Sequence, residues 1–399
     1  MKEINWKNNL RIAWIGCFLT GACVSLVLPF MPIFVEELGV EPSQVTFYSG
    51  IAISISSVSA AFISPIWGIL ADKYGRKPMM IRAGIAMTIT MGGLAFVPNV
   101  FWLLVLRFLN GVFTGYVPNA TALIASQVPK DKSGYALGTI TSGVLAGTLS
   151  GPFVGGLIAE VFGIRTAFLV VGALVSLVAI LTIFFIKEDF QPVTKETAIP
   201  TKYLYASLKY PYLLFNLFAT SFVIQFAAQS IGPILALYVR ELGQKENLLF
   251  VSGVIVSSMG LSSMMSAGIM GRLGDKLGNH RLLILAQVYS AVIYVLCGNA
   301  TSPVELGIYR FLFGLGTGAL VPGINAILSK MAPKAAISRV FAFNQVFFYL
   351  GGVIGPLAGS LVANQFGYNS VFYATAACVA LSCIFNLIQF RTLLKVKEI

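Results

Sequence analysis

The chain has 399 residues, of which 57% are hydrophobic and only 11% are charged. Soluble domains carry about 25% charged residues, so this chain cannot cover a water-facing surface. Its formal net charge is +12, but the basic residues lie in short stretches between apolar runs. Nucleic-acid binding needs such residues gathered on one folded face, so the composition excludes that function and indicates a membrane protein.

Twelve apolar runs follow one another along the chain. Runs of about 20 apolar residues predict membrane-spanning helices, and the Gly and Pro residues inside them are frequent in such spans. The predicted spans, numbered 1 to 12, cover residues 10–34, 46–70, 78–97, 101–125, 134–159, 165–186, 211–239, 248–271, 281–299, 304–329, 338–363 and 369–390. Span 1 is too long for a cleavable signal peptide. The sequence therefore predicts an all-α membrane protein with twelve transmembrane helices.

The basic residues indicate which side of the membrane each segment occupies. With the amino terminus in the cytoplasm, 22 of the 27 Lys and Arg residues fall in cytoplasmic segments, and only Arg165, Arg240 and Lys245 fall outside. This bias follows the positive-inside rule. Because the number of spans is even, we expect both termini to be cytoplasmic.

The two halves of the chain repeat one another at an offset of 203 or 204 residues. Matching residues are Pro29 and Pro233, Asp72 and Asp275, Gly75 and Gly278, Arg107 and Arg310, and Gly151-Pro152 and Gly355-Pro356. We predict an N-terminal six-helix bundle at 1–186, a cytoplasmic linker at 187–210 and a C-terminal six-helix bundle at 211–399. A parallel repeat of this kind implies a binding site near the membrane midplane and transport by alternating access.

Three motifs in the first half carry a family resemblance. The first motif, at the loop between spans 2 and 3, contains Gly68, Asp72, Gly75 and Arg76. The second, on the fourth span, contains Arg107 and Gly111. The third, on the fifth span, contains Gly147, Gly151, Pro152, Gly155 and Gly156. These motifs resemble those of the major facilitator superfamily, and the third resembles the signature of its twelve-helix drug:H+ antiporter branch. The resemblance covers the whole chain. It implies a secondary active transporter that exports amphipathic aromatic or cationic drugs and dyes in exchange for protons.

The resemblance implies a conformational latch built from Gly68, Asp72, Gly75 and Arg76, with Asp275 as its counterpart in the second half. Retention of positive charge in the cytoplasm explains the basic residues of the loop. It does not explain an acid at the same place in both halves. The alternative is that the loop serves topology alone, and the second half does lack the Arg-Lys pair that follows Gly75.

Arg107 and Arg310 each lie about six residues inside a predicted span, roughly 9 Å deep at about 1.5 Å per residue. A guanidinium group there costs about 2.5 to 3.5 kcal/mol on insertion scales. We expect Arg107 to face a cavity and to bond Asn110, Asn119 or freed backbone carbonyls. The alternative is that it reaches the outer interface. The resemblance implies a part for Arg107 in proton transfer.

Glycines spaced by four residues predict one small-residue face on span 5 and another on span 11. They are Gly143, Gly147, Gly151 and Gly155 on span 5, and Gly351, Gly355 and Gly359 on span 11. Such faces let helix backbones approach closely, and Pro152 and Pro356 remove a backbone donor at matching places. We expect a seam that seals and releases as the halves rock; plain packing is the alternative.

Aromatic and amide side chains on spans 1, 4, 7 and 11 form the predicted substrate wall. They are Phe30, Phe34, Asn110, Tyr116, Asn119, Gln225, Phe226, Gln229, Phe343, Asn344 and Phe347. Stacking and cation–π contacts on such a wall suit flat, amphipathic and cationic molecules. The alternative for each Phe is a core or lipid-facing position.

All fifteen acids map to loops or helix ends, so no carboxylate stands in the middle of a predicted span. Many proton antiporters use a buried acid whose pKa is raised by desolvation. Proton coupling here would then fall to a helix-end carboxylate, for which Glu36 and Glu37 near Pro32 are the first candidates and Glu305 the next. The alternative is that these are exposed outer-loop acids.

Other function classes fit less well. The chain lacks the HExxH, GxSxG and GxxxxGK[ST] motifs, which argues against an enzyme. A channel would not require matched prolines and latch motifs, whereas a major facilitator exporter or importer of a sugar, amino acid or lipid remains the alternative. We expect no cofactor, no metal and no nucleic acid. The expected partners are a small-molecule substrate, protons and the lipid bilayer, for a monomer in the plasma membrane.

Overall fold

The computed structural model describes residues 5–129, 132–189, 211–331 and 337–395, and within these ranges it contains helices and no strand. Twelve helical segments are long and apolar enough to cross a membrane. The predicted all-α fold with twelve spans is therefore confirmed. The larger part of the predicted linker, 190–210, lies outside the described residues.

The observed helices follow the predicted order. In the first half they are Trp6–Glu37 (span 1), Pro42–Tyr74 (span 2), Arg76–Gly93 (span 3), Val100–Val112 and Tyr116–Gln127 (span 4), Ser133–Phe162 (span 5) and Ile164–Phe185 (span 6). In the second half they are Pro211–Ser230 and Leu235–Glu241 (span 7), Leu248–Leu277 (span 8), Asn279–Gly298 (span 9), Pro303–Met331 (span 10), Ile337–Phe366 (span 11) and Tyr368–Lys395 (span 12).

The chain divides into two compact units. The first contains Met1–Lys195 together with Lys245–Ser257, and the second contains Glu196–Gln244 together with Ser258–Ile399. The first turns of span 8 group with the first unit. The reason is a set of contacts to span 5, described below. The predicted boundaries of the two six-helix bundles stay a prediction.

Span 4 is broken, although its apolar run predicted one helix. Its first helix ends at Val112, the second begins at Tyr116, and Gly115 between them has φ +126. This backbone region favours glycine because it has no Cβ atom. The repeat counterpart, Gly318, lies inside a continuous helix in span 10, so glycine permits the break but does not cause it.

Span 7 is also broken, between Ser230 and Leu235, where we predicted a continuous helix. Pro233 lacks a backbone N–H and follows Gly232, and this pair interrupts the helical hydrogen bonds. Pro29, the counterpart of Pro233 in span 1, lies with Pro32 inside an unbroken helix. The adjacent glycine therefore distinguishes the broken span from the continuous one.

A buried network of amides and hydroxyls joins spans 7, 9 and 12 in the second unit. Asn386 donates from Nδ2 to Gln287 Oε1 and to Thr220 Oγ1, both at 3.0 Å, and accepts from Asn216 at 2.7 Å. Gln287 in turn donates to Ser382 at 3.1 Å. Because each bond satisfies a polar group away from water, the network fixes the relative register of the three helices.

Candidate functional site

The loop between spans 2 and 3 is a one-residue turn at Gly75. This glycine ends span 2 with φ +100, and its N–H donates to Ala71 O at 3.0 Å. Its counterpart Gly278 has φ +88 between spans 8 and 9. Both halves thus use a left-handed glycine to reverse the chain with almost no loop.

Glu188 caps the first turn of span 3 beside the predicted latch. Its two carboxylate oxygens accept hydrogen bonds from the backbone N–H groups of Arg76 at 2.8 Å and Lys77 at 2.7 Å. A carboxylate at a helix N-terminus contributes about 0.3 to 1 kcal/mol. Glu188 was not among the predicted site residues, and its only signal in the sequence is its position just after span 6.

The structure gives less information about the other predicted latch residues, Gly68, Asp72 and Asp275. A Cβ atom at Gly68 would meet nothing within 4 Å, so close packing does not require glycine there. The side chains of Asp72 and Asp275 lie outside what the structure describes. The latch stays a prediction.

Arg107 is buried, with 5% of its surface exposed, and its Nε donates to the carbonyl oxygen of Ala52 on span 2 at 2.8 Å. Ser56, one turn further along span 2, donates to the Arg107 carbonyl at 2.6 Å. The observed partner is a backbone carbonyl inside the continuous helix of span 2, not one of the predicted amides or a freed carbonyl. Asn110 and Asn119 are engaged elsewhere, Asn110 by Thr90 at 3.3 Å and Asn119 by Gly115 O at 2.7 Å.

Arg82 on span 3 holds the break in span 4. Its Nη2 donates to the carbonyl oxygens of Thr114 at 2.7 Å and Phe113 at 3.3 Å, and its guanidinium lies 3.4 Å from the ring centroid of Trp67. Trp67 donates from Nε1 to Val112 O at 2.7 Å. From the sequence, Arg82 is one of the 22 basic residues of cytoplasmic segments and has no other predicted role. Its position in the structure is that of a cation satisfying carbonyls released by a broken helix.

The glycine face of span 5 packs against span 1. Cβ atoms at Gly147, Gly151 and Gly155 would overlap backbone or side-chain atoms of span 1, and at Gly143 a Cβ atom would lie 3.0 Å from Trp14. The predicted small-residue face exists. Its partner is span 1 of the same unit, so these four glycines provide close packing inside the unit. A seam that seals and releases as the halves rock stays a prediction.

The next turn of span 5 contacts the start of span 8 within the first unit. A Cβ atom at Gly156 would lie 2.8 Å from Leu249 O, and Gly253 packs against the Pro152 carbonyl. Glu160 accepts from the N–H groups of Leu249 at 3.0 Å and Phe250 at 3.4 Å. The C-terminal part of span 5 therefore contacts the N-terminus of span 8.

The glycine face of span 11 packs against span 7 in the same way. A Cβ atom at Gly351 would lie 2.9 Å from Phe226 N, and one at Gly355 would lie 3.3 Å from Gln229 Cβ. Gly359 packs against the Ser230 carbonyl. The repeat thus preserves one helix pair, spans 1 and 5 in the first unit and spans 7 and 11 in the second.

Spans 7 and 11 bring several predicted substrate residues together. Asn344 Oδ1 accepts from Ser221 Oγ at 2.6 Å, and the ring of Phe347 lies 5.6 Å from Phe215 and 5.7 Å from Phe218. Asn344 is buried, at 7% exposed. The half-buried residues of the predicted wall are Asn110 on span 4 and Gln225, Phe226, Gln229, Phe343 and Phe347 on spans 7 and 11.

Phe30, Phe34 and Tyr116 lie in the core of the first unit, contrary to the expectation that they line a wall. Each has at most 1% of its surface exposed. Phe34 packs on Phe168 with ring centroids 4.8 Å apart, and the Tyr116 hydroxyl bonds Thr182 at 3.0 Å. Because their rings already contact protein on all sides, we withdraw them from the substrate site.

The three candidate proton carriers differ in their surroundings. Glu37, at the end of span 1, is exposed, yet desolvation raises the pKa of its carboxyl while the charge of Arg165 opposes the rise. Glu36 is half-buried and has interactions of its own. Glu305 accepts from Tyr309 Oη at 2.6 Å and from Thr301 N and Oγ1, each at 2.8 Å. Three donors stabilise its ionised form, which disfavours Glu305 as a proton carrier.

Comparisons with known proteins agree with this architecture. The family profile of the Major Facilitator Superfamily matches residues 13–264 and 217–397. The chain is 78% identical over 399 residues to the multi-drug resistance efflux pump PmrA of Streptococcus pneumoniae, covering 100% of both chains. It is 43% identical over 385 residues to the multidrug resistance protein MdtG of Escherichia coli, covering 96% of this chain and 94% of MdtG.

A solved structure shares the fold at low sequence identity. It is a bacterial homolog of the human lysosomal transporter Spinster, 13% identical, with a TM-score of 0.82 and 97% of each chain covered. The matches in sequence span both halves and all twelve helical segments. The chain is a multi-pass membrane transporter that belongs to the Major Facilitator Superfamily.

Proposed function

We propose that the protein exports amphipathic aromatic or cationic drugs and dyes from the cell in exchange for protons. The observation that carries the proposal is the 78% identity, over the full length, to a multi-drug resistance efflux pump. The duplicated architecture suits alternating access. We further propose that the protein acts as a monomer, that both termini are cytoplasmic and that the loop around Gly75 is its conformational latch.

The substrate residues that we retain are the half-buried aromatics and amides of spans 7 and 11, together with the buried Asn344 of span 11. Phe347 packs with Phe215 and Phe218, and Asn344 bonds Ser221, so aromatic faces lie beside a hydrogen-bonded amide. Flat cations gain from aromatic faces, by about 0.5 to 2 kcal/mol per contact. A few polar groups among aromatic ones then fix orientation without excluding varied substrates.

Cells that express the protein should retain severalfold less of a cationic dye such as ethidium than cells with the empty vector. A protonophore should abolish the difference, because antiport draws on the proton gradient. Depleting ATP with the gradient held should leave it intact. Dye fluorescence in energised cells measures each case, and Asn344→Ala should weaken efflux more than Glu41→Gln, a change at an exposed acid.

Two outcomes would contradict the proposal. Equal accumulation with and without the protein, over a broad panel of aromatic cations and zwitterions, would favour a major facilitator transporter of a metabolite. Efflux that survives the protonophore but follows a sodium gradient would keep the substrate class and reject the proton as the coupling ion.

For proton coupling we propose Glu37 as the first carrier, with Arg107 as a buried cation of the same unit. Desolvation already raises the pKa of Glu37, so its carboxyl keeps a proton to higher pH than an ordinary glutamate. Arg107 is buried and bonded to a single carbonyl through Nε. In this proposal Arg107 supplies the positive charge that would attract the deprotonated carboxylate of Glu37.

Glu37→Gln should reduce drug-induced proton release from the purified protein by about tenfold, because the amide cannot titrate. In the wild type the release should be largest at acidic pH and vanish as the pH rises past the raised pKa of Glu37, where the proton is already lost. A pH indicator in weakly buffered detergent solution measures it. Glu41→Gln is the matched control.

The same assay on Glu305→Gln and on the triple change at Glu36, Glu37 and Glu305 completes the test. Glu305→Gln should have the smaller effect, since its carboxylate is held by Thr301 and Tyr309. If the triple variant still releases protons in step with drug binding, the coupling group lies elsewhere, with Asp72 the next residue to change.

A further inference from the structure

Arg310 on span 10 is a buried cation, and two of its three side-chain nitrogens lack acceptors within the ranges that the structure describes. It is 4% exposed, and its Nε and Nη1 atoms have no hydrogen-bond partner among the described residues. Its guanidinium carbon lies 5.6 Å from the ring centroid of Phe313. An arginine side chain cannot accept a hydrogen bond or lose its charge, so burial without an acceptor is costly.

Two hydroxyl groups on the neighbouring span 9 are also buried without a hydrogen-bond partner among the residues described. Tyr294 Oη and Ser290 Oγ are buried and have no partner in the described part of the chain. Both residues are 1% exposed. The Tyr294 ring lies 4.4 Å from that of Phe313, the same ring that the Arg310 guanidinium faces. Ser290, one turn before Tyr294, also faces span 10, since a Cβ atom at Gly316 would lie 3.5 Å from Ser290 Oγ. Four polar atoms without a described partner therefore lie where spans 9 and 10 pack together.

At the same place in the repeat, the first unit has an arginine whose Nε atom has a hydrogen-bond acceptor. Arg107, the counterpart of Arg310, gives its Nε to a backbone carbonyl at 2.8 Å. The first unit has Met87 and Met91 at the positions that correspond to Ser290 and Tyr294, and both methionines are buried and apolar. The polar cluster is thus particular to the second unit and is not required by the fold.

The chemistry of the cluster selects a ligand. Arg310 only donates, and the two hydroxyls can donate to the same acceptor. Such a set suits a group that accepts several hydrogen bonds and carries negative charge. The low exposure of all three residues favours a small ion over a drug-sized molecule. We propose that Arg310, Tyr294 and Ser290 bind a small monovalent anion, with chloride as the probe, inside the second unit.

Chloride should stabilise the purified full-length protein in a saturable way. The melting temperature should rise by a few degrees when sodium gluconate is replaced by sodium chloride at constant ionic strength and pH, because a ligand that binds the native state stabilises it by mass action. Arg310→Gln should abolish the rise. Tyr294→Phe combined with Ser290→Ala should increase the half-saturating chloride concentration by about tenfold, since two hydrogen bonds are lost.

Tyr289→Phe is the matched control. It removes a hydroxyl from the same helix, but one that already donates to Leu312 O at 2.8 Å, so the chloride response should persist. A wild-type melting temperature that is equal in chloride and gluconate overturns the proposal, as does an unchanged response in Arg310→Gln. If that variant does not fold, an unchanged half-saturation in the double variant overturns it. The assay needs no transport, so its outcome is independent of the proposed drug efflux.

Discussion

Gly147→Ala should strongly destabilise the protein. A Cβ atom at Gly147 would overlap the carbonyl oxygen of Phe18 and lie 2.8 Å from its carbonyl carbon and 2.9 Å from Ala22 N. All three are backbone atoms of span 1, so no side-chain rotation relieves the contact. Overpacking of this kind costs about 1 to 3 kcal/mol and occasionally more, and we expect the upper end because two helix axes must separate.

Gly138→Ala on the same helix is the control for this change. A Cβ atom there would meet nothing within 4 Å, and alanine is the better helix former by roughly 1 kcal/mol. Melting temperature and the monodisperse fraction after detergent extraction measure both variants. If Gly147→Ala behaves like Gly138→Ala, spans 1 and 5 pack less closely than the structure describes.

Features that depend on local pattern were predictable from the sequence. Each span is indicated by its apolar run. The offset between Gly75 and Gly278 predicts the same turn in both halves, and in the structure these glycines have φ +100 and +88. The four-residue spacing from Gly143 to Gly155 likewise predicts a face. Such features follow from helix geometry and need no knowledge of the neighbouring helix.

Features that depend on the partner helix were not predictable. The spacing of the glycines does not identify span 1 as the helix that packs on them. Phe30 and Phe34 would look the same in the sequence whether they lined a substrate site or filled the core. The hydrogen bonds of Glu188 to span 3 join residues more than 110 positions apart. Such pairings arise from tertiary packing, and a single sequence does not record which apolar faces meet.

The two helix breaks show the same division. Pro29 and Pro233 are equivalent in the repeat, and only Pro233, which follows Gly232, interrupts its span, so the sequence carries a signal for this break. Gly115 and Gly318 are equivalent as well, and only Gly115 has a positive φ. A residue that permits a break is visible in the sequence. A side chain from another helix that stabilises the broken state is visible only in the fold.

Arg82→Leu should destabilise the break in span 4, because leucine cannot bond the carbonyls of Phe113 and Thr114. Leucine is the informative replacement, since Leu285 stands at the equivalent position of the second half, where span 10 is continuous. Each buried carbonyl left without a partner costs about 1 to 3 kcal/mol, and the contact with Trp67 adds about 0.5 to 2 kcal/mol. We expect a loss of stability on the order of 3 kcal/mol, with transport strongly reduced.

Arg82→Lys separates charge from shape. Lysine keeps the positive charge but lacks the planar group that lies over Trp67 while bonding two carbonyls, so it should fall between wild type and Arg82→Leu. Lys73→Gln, which removes a charge from an exposed residue nearby, should leave stability nearly unchanged. Melting temperature and dye efflux on the same preparations compare the three variants. If Arg82→Leu is as stable and active as Lys73→Gln, Gly115 alone maintains the break, and the contacts of Arg82 are incidental to it.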